Sequence, residues 1–252
     1  MNVLEKTNLR NLYDLWETIG RDNHLFQTEL GFQYVYATKG QWPNRFWQPI
    51  GTSINSKNLH QMIANLQREE RHMVLPLVQN DPLLSVLKKQ NIPELFQQTA
   101  MIRAANKTEL KGADLEIVIV RTKEEVLEFA QVASLAFGYS IDPDVASVLL
   151  GSNTTLLVQG KRKGQVVATG LLHATENTAG IHMVGVHPDF RRQGLAKKMM
   201  VHLLNLASNQ GVDWITLQAS DMAVGLYEQL GFKKQCTMHN YRIGPNGKHS
   251  AF

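Results

Sequence analysis

A single cysteine, Cys236, stands among 252 residues. With no second thiol there is no internal disulfide, which suits a reducing, cytoplasmic setting. No apolar run approaches the ~20 residues needed to cross a bilayer, so no membrane partner is expected. The opening MNVLEKTNLR lacks the apolar core of a signal peptide, and export is not expected. Surplus charge is small too: 26 Lys and Arg against 22 Asp and Glu leave a net +4. That argues against nucleic acid as a partner, although a local basic cluster could still hold a small anion. The nine histidines show no metal-ligand spacing with cysteine or carboxylate partners, so no metal is expected.

What is present is an ordinary globular composition, 43% hydrophobic and 19% charged, long enough for one large core or two small ones. The polar stretch NKTELKGAD divides it. The expected organisation is an N-terminal α/β domain at 1–106, a linker at 107–114 and a second domain at 115–252.

The second part reads as βααβββαβαβ. LEIVIVRT is a strand, and KEEVLEFAQVASLAFG is an amphipathic helix ending at Gly138. A second helix runs from Asp142-Pro143 through Leu150. TTLLVQG and QVVATGLLHA form a hairpin around the solvated tip KRKG. AGIHMVGV is a strand stopped at His187-Pro188. From Gly194, Leu195, Met199, Leu203 and Leu206 mark one helical face. The strand DWITLQAS, the helix DMAVGLYEQLGF with Gly231 just past its end, and the strand TMHNYRIG complete the order.

In the first part, Leu9, Leu12, Trp16 and Ile19 share a helical face closed by Gly20. FQYVYATK alternates like a strand, SKNLHQMIANLQREE is an amphipathic helix and HMVLPLV a strand. DPLLSVLKKQNI is a helix capped by Asp81, and TAMIR follows as a strand. This helix overlays DMAVGLYEQLGF without gaps: Asp81 meets Asp221, Asn91 meets Gly231 and Ile92 meets Phe232. The N-terminal half is therefore read as a decayed repeat of the second, with Leu87 where the second half has Tyr227.

The densest basic segment is HPDFRRQGLAKKM, residues 187–199, a glycine-bearing turn that runs into a helix. A helix N-terminus offers unpaired N–H groups and the positive end of the macrodipole, and a glycine lets an anion approach the backbone. The segment has neither the GK[ST] of a nucleoside-triphosphate loop nor the three glycines of a dinucleotide fingerprint. A solvated surface turn is the alternative.

Arg191-x-x-Gly194-x-Ala196 resembles the [RQ]-x-x-G-x-[GA] loop of the GCN5-related N-acetyltransferase (GNAT) family. MVGVHPDF looks like that family's central strand and loop, and VGLYEQLGF is similar to its second signature. The resemblance spans roughly residues 115–243. It implies a mixed, mostly antiparallel sheet with splayed central strands and flanking helices, within the broader α/β (α+β) class. It also implies acetyl-CoA (coenzyme A) as cosubstrate. Backbone amides of Arg191, Arg192, Gln193, Gly194, Leu195, Ala196 and Lys197 would then bind the pyrophosphate. Val184, Gly185 and Val186 would pair with the pantetheine arm like an added strand. The Val184 amide would stabilise the oxyanion, and Tyr227 would protonate the departing thiolate. Ser220 stands where the family usually has a cofactor-contacting asparagine, and the strand lacks the glutamate that many members use as base.

Several of these residues carry a second reading. Tyr227 could be a core residue of its helix. His182, on the central strand, is a candidate base or a histidine hydrogen-bonded in place. Trp42, Arg45 and Trp47 could line a pocket, or the tryptophans could pack the core. Asp142 and Asp144 could greet a cationic amine or form a helix cap. Cys236 reads as a small buried apolar residue. The function implied is acetyl transfer to a primary amine, on a small molecule or peptide, by direct attack in a ternary complex. The alternative is a non-catalytic acyl-CoA-binding or regulatory module. The oligomeric state is not legible.

Overall fold

Helix α1 (Val3–Asp22) opens the chain on a capping box, in which the Asn2 side chain accepts from the Glu5 N–H and Glu5 reaches back to the Asn2 N–H. The computed structural model describes residues 1–107 and 115–245; of the expected linker, residues 108–114 lie outside it. After α1 come β1 (Phe26–Glu29), β2 (Phe32–Val35), β3 (Arg45–Trp47), α2 (Ser56–Arg68), β4 (Met73–Val78), α3 (Leu83–Lys89) and β5 (Glu94–Ala104). The second part contains β6 (Glu116–Ile119), α4 (Lys123–Phe137), α5 (Pro143–Ser147), β7 (Thr155–Arg162), β8 (Gln165–Thr175) and β9 (Thr178–Val186). It ends with α6 (Leu195–Ser208), β10 (Trp214–Ala219), α7 (Asp221–Gln229) and β11 (Lys233–Ile243). The βααβββαβαβ order expected for this part is the observed one.

All the strands named join one sheet in the order β1-β2-β3-β4-β11-β5-β10-β9-β8-β7-β6. The pairings are antiparallel except β3 with β4 and β9 with β10. Both parts of the chain thus contribute to one sheet, and their last strands interleave: β11 lies between β4 and β5, and β5 between β11 and β10.

Helices cover both faces. On one, α6 and α7 bury Met199, Leu203, Tyr227 and Leu230 against Ile181, Ile215 and Leu217. On the other, α1 and α4 meet through Leu15, Ile19, Phe129 and Ala133 over Leu157 and Leu171. The remaining face of α1 sets Leu9, Leu12 and Trp16 on Trp47, Cys236 and Met238, and so ties the two parts together. Helix α2 packs Leu59, Met62 and Leu66 over β4 and β11.

Several boundaries differ from expectation. Gly20 does not end α1, which runs on to Asp22; a Cβ at Gly20 would overlap Val35, so the glycine permits the close approach of β2. Helix α5 has only five residues. The hairpin tip is Lys163-Gly164 alone, both at positive φ, while Lys161 belongs to β7 and pairs with Glu128 at 3.5 Å. Cys236 sits inside β11 and is buried. Strands β1 and β3 were not expected at all.

Candidate active site

The site is built around the place where β9 leaves its neighbour. Strand β9 pairs with β10 over Thr178, Ala179 and Gly180, and no pairing with β10 follows beyond Gly180. On the other side β9 stays joined to β8, but with a slip: Leu171 pairs with His182 and Thr169 with Gly185. One extra residue is thereby accommodated in β9, and Met183 takes φ +53°. This is a β-bulge, which bends the strand and re-aims the residues after it. From Ile181 onward, the β10-facing edge of β9 is an unpaired strand edge among the described residues, open to an extended ligand.

Helix α4 braces the bulged segment from behind. A Cβ at Gly185 would stand 2.8 Å from the Ala136 Cβ and 3.3 Å from the Phe137 ring. Glycine is what allows the helix end to press on the strand here.

Past Val186 the chain makes a 3₁₀ turn at Pro188–Phe190 and enters α6. Arg192 and Gly194 take φ +60° and +72°. Helix α6 begins at Leu195 with no side-chain cap; its first backbone bond runs from the Lys198 N–H to the Gly194 carbonyl at 3.2 Å. The N–H groups of the first turn are left for an external acceptor, at the positive end of a 14-residue helix. A Cβ at Gly194 would meet nothing within 4 Å, so the turn faces open space.

The side chains of this turn divide between scaffold and surface. Arg191 donates to the Ala136 carbonyl at 2.9 Å and to the Val186 carbonyl at 3.4 Å, tying the turn to α4 and β9. Gln193 accepts from Arg162 at 2.6 Å, tying it to the hairpin. Arg192 and Lys197 are exposed. Leu195 is buried beneath, and Ala196 is small enough to leave the helix start accessible.

Tyr227 is 8% exposed on α7 and meets Phe232 edge-on at 5.9 Å. Val184 and Val186 pack against the same apolar cluster, so strand and phenol share one wall. Burial pushes the phenol up to about 12, which keeps it protonated at neutral pH. Ser220 is the N-cap residue of α7, but its hydroxyl makes no capping bond and the residue is exposed.

His182 points to the opposite face, under α1. Its Nε2 lies 3.1 Å from the Asn11 Oδ1. The Asn11 Nδ2 is committed to the His173 carbonyl and the Thr175 hydroxyl, so the Asn11 oxygen accepts and His182 carries the hydrogen on Nε2. Burial, with His173 beside it, lowers the imidazole to about 3 despite a hydrogen bond with Gln218. A ring so reluctant to take a proton is a poor base. It belongs to a buried polar layer that the sequence reading missed: Asn8 donates to the Met101 carbonyl and to Gln235 and accepts from Gln218, and His173 is held between Thr155 and Asp14. Its only sequence signal was the pair of asparagines interrupting the leucines of α1.

The aromatic segment divides as well. Trp47 is fully buried with α1, and Trp42 packs with α4 and bridges to Ile141. Arg45 instead lines a cavity. Asp142 caps α5 by accepting from the Asp144 N–H at 2.9 Å.

A sheet split between two parallel strands, a bulge at the split and an uncapped helix start just beyond it define the GNAT fold class. Residues 122–242 match the family model described as an acetyltransferase (GNAT) domain. The ribosomal protein bS18-alanine N-acetyltransferase of Escherichia coli K12 is 30% identical over 93 residues, 36% of this chain and 63% of that protein. The chain thus spans less than two thirds of the curated relatives it matches first. In three dimensions, a GCN5-related N-acetyltransferase from Kribbella flavida superposes with a TM-score of 0.66 at 18% identity, covering 89% of this chain and 90% of the other. A GNAT-family acetyltransferase from Novosphingobium aromaticivorans gives 0.63 at 15% identity, over 92% and 96%. The shared fold therefore includes the N-terminal half.

Proposed function

We propose that the chain is an acyl-CoA-dependent N-acyltransferase that moves an acetyl group from acetyl-CoA to a primary amine by direct attack in a ternary complex. The observation that carries this is the course of β9, which leaves β10 after Gly180 and runs directly into the uncapped start of α6. An unpaired strand edge followed by an anion-binding helix start suits a ligand with an amide-bearing arm and a pyrophosphate. The open space at Gly194 and the two positive-φ residues fit that group.

Acetyl-CoA supplies the acetyl group, activated as a thioester. The N–H groups from Arg191 to Lys197 hold its pyrophosphate, with Arg192 and Lys197 adding charge at the rim and Arg191 and Gln193 keeping the turn in shape. Backbone from Val184 to Val186 holds the pantetheine arm. The Val184 N–H steadies negative charge developing on the acyl oxygen as the amine nitrogen bonds to the carbonyl carbon. As the carbon–sulfur bond breaks, Tyr227 gives its proton to the thiolate, and the proton that the bonded nitrogen sheds on becoming an amide passes through water to restore the phenol. No side chain of the described site serves as base, so the amine reaches the site neutral, having lost its proton to water. The acceptor is a small-molecule or peptide amine; the relative named for an alanine of a ribosomal protein places peptide amines among those to test. A lone, buried cysteine supports a cytoplasmic setting.

The test pairs binding with turnover. Acetyl-CoA affinity, read by calorimetry, should fall more than tenfold in Gly194→Val, which strains a φ of +72° and fills the open turn. Arg192→Ala should cost less than tenfold. Thiol release with a panel of amines should exceed hydrolysis in the wild type. Unchanged affinity in a folded Gly194→Val would remove the pyrophosphate assignment, and binding without turnover would favour a regulatory module.

A further inference from the structure

A cavity of about 260 Å³ opens between the N-terminal half and the end of α4. Phe137 and Tyr139 form one wall, and Leu95 and Phe96 of β5 another. Strands β9 and β10 run parallel and β5 runs against β10, so the start of β5 lies at the end of the sheet where β9 and β10 have parted. Phe137 also abuts Gly185 of the bulged strand. The cavity therefore sits at the mouth of the split, one aromatic ring away from the segment assigned to the acyl group.

Its floor is cationic. Arg45 lines the cavity beside Gln41. A small annex shares both residues and adds His72 and Arg242. Among the described residues, no carboxylate lines either space. The acids nearest in sequence are engaged elsewhere: Glu94 pairs with His239 at 2.9 Å, and Asp142 caps α5. Among the described residues the Arg45 side chain makes one hydrogen bond, to the Asn44 carbonyl at 3.0 Å, and its guanidinium carbon lies 6.0 Å from the Trp16 ring centroid. Burial lowers its pKa, yet an arginine remains charged. A partly buried guanidinium with no acid partner among the described residues is costly unless a ligand brings the counter-charge. The planar fork matches a carboxylate, and the walls of Leu95, Phe96 and Phe137 match an apolar side chain.

We infer that the acceptor is an amino carboxylate, an amine whose own carboxylate is held by Arg45 while its amine faces the bulge of β9. This rests on the transferase reading and narrows it to a substrate class. Arg45 is then a binding residue supplied by the N-terminal half to a reaction carried out by the second.

Leucine, leucinamide and isopentylamine share a side chain and differ at the carboxylate, which also changes the basicity of the amine, so their rates are compared per unprotonated amine. In the wild type, kcat/KM should be at least tenfold higher for leucine than for the other two, through KM. Arg45→Gln should raise the leucine KM about 10- to 100-fold, leave the two neutral amines within threefold, and leave acetyl-CoA affinity unchanged. Arg45→Lys, which keeps the charge and loses the fork, should recover part of the preference. Calorimetry with N-acetylleucine and its amide reads the same contrast without turnover, with the acid tighter only in the wild type. A panel acetylated without regard to the carboxylate, or a preference that survives Arg45→Gln, overturns the inference and leaves the transferase reading standing. Acid-selective binding that Arg45→Gln abolishes, in a protein that acetylates nothing, keeps Arg45 as a carboxylate-binding residue but overturns the transferase reading and the acceptor role with it. A tenfold preference for phosphoethanolamine over leucine would overturn the assignment to a carboxylate.

Discussion

Tyr227 shows how one environment fixes both the state and the limits of a group. Burial holds the phenol near 12, so the proton is present throughout the working range. Tyr227→Phe keeps the ring and its contact with Phe232 and removes only that proton. Turnover should fall about a hundredfold, the lower part of what a general acid contributes. Acetyl-CoA affinity should stay within tenfold by calorimetry. The basic limb of the pH–rate profile should not move below about pH 11, because the phenol does not titrate there. A variant at the wild-type rate would make Tyr227 a packing residue. At this scale the sequence was informative where chemistry follows residue type and neighbours, as at Gly194, whose positive φ is what a tight turn demands. It was ambiguous wherever a side chain has two faces to choose from. Trp42, Arg45 and Trp47 stand within six residues, and only the tertiary fold separates the packing tryptophans from the cavity-lining arginine.

Among the elements, α1 carries the least foreseen chemistry. Its leucine and tryptophan face was readable from helical spacing, but Asn8 and Asn11 proved to be buried partners of the sheet. They lie so close to it that a Cβ at Gly180 would overlap the Asn11 side chain. His182 makes this layer pH-sensitive. Between about pH 6.5 and 3 the unfolded chain binds a proton on this imidazole that the folded chain refuses, so stability falls as pH falls through that window. The term is fully present above 6.5. His182→Gln keeps a donor for Asn11 and abolishes the titration. Its unfolding free energy, from urea titrations between pH 6 and 4, should fall less steeply than wild type by about 1.4 kcal/mol per pH unit. Equal slopes would mean that the ring already accepts a proton when folded. Strands β1 and β3 went unread because four and three residues are too short to show a period. Gly20 was mistaken for a helix stop because a glycine that admits a neighbouring strand looks the same in sequence as one that ends a helix.

For the whole molecule, strand order was the least legible property, since local patterns name strands without saying which will be neighbours. The segments β4–α3–β5 and β10–α7–β11 are laid out about a common seam, each sending its last strand to the far side of the other's. This arrangement supports the proposal of a decayed repeat, with the ligand turn kept only in the second copy. It also predicts that the halves depend on each other. Fragments 1–107 and 115–252 made separately should each be unstable, because β4 and β5 lack β11 between them and β10 and β11 lack β5. Made together, they should co-purify through a tag on one and regain acetyl-CoA binding. A 115–252 fragment that melts cooperatively at the full-length temperature would contradict this.

The same seam sets a clock on synthesis. Strand β5 leaves the ribosome with its partners still unmade: β10 is more than a hundred residues away, and β11 is later still. Through that interval the nascent N-terminal half exposes bare β-edges and the apolar face of α1 that the second half will cover. Its sheet closes only when the final strand slides between two that have been waiting for it. Long-range closure of this kind is slow and leaves sticky intermediates. Yield in a cell should therefore respond to the pace of translation and to chaperone supply more than the stability of the finished fold would suggest.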